Sequence, residues 1–236
     1  DRNLYVVSAS VSRPTGALPQ SHRNLIPNSP DTPKDQRIEA EKILNLFMSR
    51  AYRRRATQGE LNRLMKLYDQ SREEGQGFEV SLRFTFQAIL VSPYFLYKVE
   101  APTAPGKTRD LNDFEIATSL SYFLWSSMPD NELFRLAARN QPSDPDAYRR
   151  QIARMLKDPE ANALVENFVE QWLQLGHLDH FKPDPDLFPG VNTKMQQDMA
   201  METKLLFADL IKRNASILDA LDSDSSFINQ RLAEHY

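Results

Sequence analysis

Proline placement is the strongest constraint on what this chain can fold into. Pro14, Pro19, Pro27, Pro30 and Pro33 crowd the first 33 positions, and the next is Pro93. Each proline ring removes a backbone donor and clashes with the preceding helical turn, so the early segment avoids helix. Positions 34–92 carry no such break. Their apolar residues recur every three or four positions: Ala40, Ile43, Leu44, Phe47, Met48 and Ala51 form one face, and Leu61, Leu64, Met65 and Tyr68 form another. Thr32 before Pro33 is a helix start with proline at the first position. Thr57 with Glu60 spells a capping box. A third apolar helix is expected over 78–91, ending at Ser92-Pro93.

The second half repeats this grammar. Residues 101–107 (APTAPGK) read as a linker between two helical lobes. Asn112 with Glu115 caps the next helix, and a short helix follows Pro129. Asp144-Pro145 and Asp158-Pro159 are two more starts. The second is expected to open a helix through Leu164, Val165, Phe168, Val169 and Trp172, stopped by Gly176 in the left-handed conformation. A long helix carries Met195, Met199, Leu206 and Leu210 on one face, with Asn214 as its stop. Trp125, Trp172 and both methionines fit core positions. The expected fold is mainly α, an irregular multi-helix bundle in two lobes. Its parts are a strand and Pro-rich arm over 1–33, a first lobe over 34–100, a linker over 101–110 and a second lobe over 111–236. The strand is Leu4 to Val11 (LYVVSASV), short and β-branched. Nothing else reads as a strand to pair it, so Leu4, Tyr5, Val6 and Val7 are expected to join a sheet edge from another segment or subunit.

Chemistry is sparse. The chain has 236 residues and no cysteine, which excludes disulfides, thiolate catalysis, Cys-ligated zinc and covalent haem attachment within it. Its formal net charge of −3 gives no global case for nucleic acid. No apolar run is long enough to span a membrane. Only seven glycines are present, and no phosphate loop, dinucleotide fingerprint or nucleophile elbow is spelled. His177 and His180 form an H-x-x-H around Asp179, a set able to hold a divalent metal. Three apart is not the helical i, i+4 pair of a metalloprotease, and the plain alternative is two exposed loop histidines. Asp184, Asp186, Asp222 and Asp224 suit turns better than calcium. Glu166 and Glu170 lie one turn apart, with no partner base in view. Arg53, Arg54 and Arg55 continue a basic run begun by Arg50. It is a candidate surface for an acidic partner, or else a cap that complements a helix C-terminus.

Six stretches carry a likeness to a known family: 50–75 (RAYRRRATQGELNRLMKLYDQSREEG), 86–100 (FQAILVSPYFLYKVE), 120–137 (LSYFLWSSMPDNELFRLA), 166–179 (ENFVEQWLQLGHLD), 183–189 (PDPDLFP) and 228–236 (INQRLAEHY). In collinear order they resemble the planctomycete-type, cytochrome-c-associated exported proteins built from domains of unknown function. The resemblance implies a periplasmic or cell-surface multidomain protein, with haem c in another domain or a partner and no cofactor in this chain. It transfers no catalytic residue. Family members often carry cysteines around the segment that here reads LIPNSPDTPKDQRIEAEKIL, so any bridge or thiol role there is expected to be absent from this chain. Their pattern continues past the position of Tyr236, and with the unpaired strand this leads us to expect part of a longer protein. The expected function is a non-catalytic helical scaffold or interaction module of such an assembly, supporting electron transfer. Its partners would be other domains or subunits, a c-type cytochrome among them. The alternatives are part of a periplasmic oxidoreductase or polysaccharide-acting enzyme with its site at the lobe junction, and a metal-binding module using the His177/His180 loop.

Overall fold

A computed structural model describes residues 19–236 apart from 28, 99–103, 105, 140–143 and 189. The Leu4–Val11 strand and the pairing expected of Leu4, Tyr5, Val6 and Val7 lie outside the described residues. Among those described, every regular element is helical. The chain divides into two compact units, Asp1–Glu100 and Ala101–Tyr236.

Unit 1 contains α1 (Gln20–Leu25), α2 (Pro33–Ala51), α3 (Gln58–Glu73), α4 (Phe78–Leu90) and the single turn α5 (Pro93–Leu96). The caps act as their spelling implies. The Thr32 side chain accepts from the Asp35 amide with Pro33 at the first position, and Thr57 and Glu60 form a complete capping box. The apolar faces of α2, α3 and α4 close one core around Leu44, Met48, Tyr68, Leu82 and Ile89. Inside it, the Ser71 hydroxyl donates to Ser81 Oγ at 3.0 Å, and Thr85 Oγ1 donates to the Ser81 carbonyl at 2.8 Å. Both bonds satisfy polar groups that would otherwise be buried unpaired.

The basic run at the end of α2 is turned inward. Arg53 takes a left-handed backbone (φ 56°) and is buried. Its guanidinium donates to the carbonyls of Tyr94 (2.8 Å), Phe95 (3.2 Å) and Tyr97 (2.8 Å), the end of α5 and the residue beyond it. A four-residue helix leaves its last carbonyls without intrahelical donors, and Arg53 supplies them from a distant segment. Arg54 grips Glu60 through two bonds of 3.0 and 2.6 Å and lies 4.8 Å over the Tyr94 ring. The interaction surface expected of Arg53 and Arg54 is therefore corrected: these two guanidiniums hold unit 1 together, and of the three only Arg55 is exposed.

Unit 2 begins with α6 (Asp113–Trp125), α7 (Asn131–Ala137) and α8 (Pro145–Met155) around a core containing Leu124, Trp125, Leu133, Tyr148, Met155 and Leu164. Trp125 is 6% exposed, and its indole N–H donates to the Met155 carbonyl at 3.0 Å. The Tyr148 hydroxyl lies 3.1 Å from Asp113 Oδ1, and burial followed by the Asp113 charge pushes its pKa far up. Asp158-Pro159 starts a helical turn, and the helix expected through Leu164–Trp172 forms as an unbroken helical run over 162–172, its middle wound as a π-helix. A 3₁₀ turn (Pro159–Ala161) leads into a π-helix (Leu164–Val169), then one turn of α9 (Glu170–Trp172) and a second 3₁₀ segment (Leu175–Asp179). The long α10 (Thr193–Arg213) ends in a left-handed Asn214, as expected, and is followed by the short α11 (Asp219–Asp222) and α12 (Gln230–His235). Arg231 pairs with Asp198 at 3.0 Å, and the Tyr236 hydroxyl donates to Glu202 at 2.7 Å, which ties α12 to α10.

Candidate functional site

The most distinctive surface of unit 2 grows out of the π-helix. A π turn takes one more residue than an α turn and recurs at functional sites. Here its inner face, Val165 and Val169, packs on Phe207 of α10. On the side facing α10, Lys204 donates to Glu166 at 2.8 Å and to Glu170 at 2.6 Å. Burial alone would lower the Lys204 pKa, but the bonds to the two carboxylates outweigh it and raise the value. The Glu166/Glu170 pair is thus bound to an ammonium and acts as a clamp that holds the π segment on α10.

The outer face is aromatic. Phe168 stacks on Trp172 with centroids 5.9 Å apart and planes 20° from parallel. Phe123 of α6 meets Phe168 edge-on at 5.4 Å, and Trp172 meets Phe207 edge-on at 6.1 Å. The ladder is rooted in the core at Phe207 and open at the other end: Phe123 is 52% exposed, Phe168 45% and Trp172 55%. The core position expected for Trp172 is corrected. The i, i+4 pair Phe168/Trp172 is rotated outward, while Val165 and Val169 take the inward positions.

The chain then turns sharply. The left-handed residue that ends this helical stretch is Gln174 (φ 56°), not Gly176, whose φ is not positive. Beyond it, the 3₁₀ segment lays open a hollow of about 580 Å³ lined by Leu173, Leu175, Leu178 and Phe181 with His177 and His180. Gln196, buried on α10, anchors its far end by donating to the Phe181 carbonyl at 2.6 Å. Three residues per 3₁₀ turn put His177 and His180 on one side and Asp179 on another. Among the described residues no group of three His, Asp or Glu side chains is placed to hold a metal ion. The His177–Asp179–His180 metal set is therefore not assembled, and both imidazoles instead edge an apolar hollow beside the ladder. Downstream, Asp184 Oδ1 accepts the Asp186 amide at 2.9 Å, which is turn chemistry. The aromatic residues of this surface were visible in the sequence only as helix-face apolars. The pairing of two glutamates with one distant lysine is what sets their direction.

Residues 111–236, more than half of the chain, match the family model described as PSD4, protein of unknown function (DUF1592). The chain belongs to the PSD4 family. Residues 39–100 match a second model, PSD5, protein of unknown function (DUF1595). No curated protein and no solved structure matches the chain. The PSD4 match covers the whole ladder, the clamp and the hollow, and the PSD5 match covers most of the unit-1 core. Among the described residues no helix is long and apolar enough to cross a membrane.

Proposed function

We propose that the chain is a non-catalytic helical interaction module of an exported, cytochrome-c-associated assembly, and that unit 2 docks a partner through the aromatic ladder. The observation that carries this reading is the exposure of Phe123, Phe168 and Trp172 side by side, backed by the buried Phe207. Contiguous exposed aromatics mark protein-contact surfaces, and aromatic anchors supply most of the energy of such contacts. The rigid clamp beneath the ladder keeps ordering costs low on association. The partner class, a c-type cytochrome domain, comes from the resemblance of the six stretches described above.

The two tryptophans make this directly measurable. Trp125 is enclosed and Trp172 is open. Docking of a haem domain on the ladder quenches the emission of both tryptophans, because energy transfer to haem reaches far beyond contact distance and Trp125 lies two residues from Phe123. In a titration of the chain with a c-type cytochrome domain from the same assembly, saturable quenching that disappears in Trp172→Phe/Phe168→Ala is the expected result. No quenching and no co-elution at roughly 50 μM, well above a micromolar Kd, overturns the reading.

A further inference from the structure

A second surface of unit 2 has different chemistry. Between α8 and the end of α10 lies a hollow of about 360 Å³ whose floor is aliphatic: Ile152, Leu156 and Ile211. Three cations, Arg149, Lys157 and Lys212, line it, and among the described residues no acidic side chain does. Leu156, Lys157, Ile211 and Lys212 also line an adjoining hollow of about 690 Å³ that runs on to Leu205 and Phe227. The two form one trough with the lysines at its middle. Two carboxylates, Asp158 and Asp209, border the second part. Asp209 is neutralised by Arg213 at 2.6 Å, and Asp158 accepts the Glu160 amide. Arg149 pairs with Asp146 at 2.8 Å, while neither Lys157 nor Lys212 has an ion-pair partner among the described residues.

We infer that this trough binds a single-chain amphiphilic anion, its aliphatic chain along Ile152, Leu156 and Ile211 and its anionic head between Lys157 and Lys212. Charge complementarity fixes the sign of the head: two unpaired ammonium groups flank the floor. The aliphatic floor fixes the tail. Ligand sites combine a mostly apolar lining with a few placed polar groups, and this lining has that composition. A peptide would bring backbone donors and acceptors that must be satisfied on burial; Ile152, Leu156 and Ile211 offer no side-chain partners for them, and Asn214 is the first hollow's one neutral polar side chain among the described residues. An acyl chain brings none. This site is distinct from the aromatic ladder and does not depend on it.

The test is calorimetric titration of the full chain with dodecanoate below its micelle concentration, alongside dodecyl maltoside and dodecyltrimethylammonium. Saturable binding of one dodecanoate per chain is expected, at least about tenfold tighter than either other head group. Lys157→Met/Lys212→Met is expected to weaken dodecanoate binding about tenfold with an unchanged thermal melt, and Lys157→Arg/Lys212→Arg to restore it. Trp172→Phe is expected to leave it unchanged. Equal binding of the neutral or cationic amphiphile overturns the inference, as does absence of saturable binding. It is also overturned if an acidic amphipathic peptide binds in the same trough more tightly than dodecanoate, or if Trp172→Phe abolishes the signal.

Discussion

Arg54 and Arg109 do the same work at two helix starts. Each sits three residues before an N-cap and six before a glutamate: Arg54, Thr57 and Glu60 before α3, and Arg109, Asn112 and Glu115 before α6. Arg109 grips Glu115 through bonds of 2.7 and 2.6 Å, as Arg54 grips Glu60, and each arginine also donates to the carbonyl of the residue after it. In each, the glutamate closes the capping box and pairs with the guanidinium at once. The Arg54 hydrogen bond, against the opposing effect of burial, takes the Glu60 pKa from 4.5 to about 2, with Thr57 adding to the fall. A lowered folded-state value means that the stabilisation is complete above about pH 4.5 and is lost as pH falls toward 2. It amounts to roughly 3 kcal/mol at neutral pH. Glu60→Gln is therefore expected to be less stable by about that amount at pH 7, with the gap to the parent closing as the pH is lowered toward 2. Urea melts across that range check this, and parallel curves at every pH would refute it. Both capping boxes were legible from spelling alone, because a cap is a contact within four residues. The arginine three residues upstream was equally present in the sequence, but its role shows only when both copies are seen to fold alike. Arg53 was not legible at all: its acceptors lie more than 40 residues away, and no local pattern announces them.

At the scale of elements, helix starts and the long amphipathic faces followed from local rules, while the stretch from Pro159 to Asp179 did so only in part. The apolar spacing predicts a helix through Leu164–Trp172, and the chain is helical over 162–172, yet its middle is π-wound and 3₁₀ turns flank it. The reason is tertiary. Lys204 draws Glu166 and Glu170 toward α10, Val165 and Val169 seat on Phe207, and the aromatics are left outward. The same competition moves the helix stop. Glycine is the cheapest residue for a left-handed turn, but the turn falls at Gln174, two residues before Gly176. Gln174→Gly is accordingly expected to stabilise unit 2 by up to about 1 kcal/mol. Gly176→Ala should be neutral or slightly stabilising, since its φ is not positive and a Cβ would meet Glu170 Oε1 at an ordinary 3.9 Å. Thermal melts of the two variants measure both; a destabilised Gln174→Gly would show that the glutamine side chain contributes more than its backbone costs.

At the scale of the whole molecule, each buried cluster among the described residues draws on one unit alone. The unit-1 core runs from Ile26 to Ile89, and the two unit-2 cores use residues from Ala117 onward. A segment that owns its core can unfold on its own. Calorimetry of the intact chain is therefore expected to resolve two transitions. Ile89, fully enclosed in unit 1, tests one: Ile89→Val removes a methylene and should lower the unit-1 transition by roughly 3–10 °C while the other holds still. Leu133, fully enclosed in unit 2, tests the other: Leu133→Ala leaves a larger void, costs roughly 2–5 kcal/mol, and should move only the unit-2 transition. The functional surfaces sharpen the test, because the ladder and the cationic trough both belong to unit 2. Dodecanoate at saturating concentration should then raise the transition that Leu133→Ala lowers and leave the Ile89→Val transition where it is, since a ligand stabilises only the unit that binds it. A single transition shifted by both substitutions would mean that the two units melt as one cooperative body.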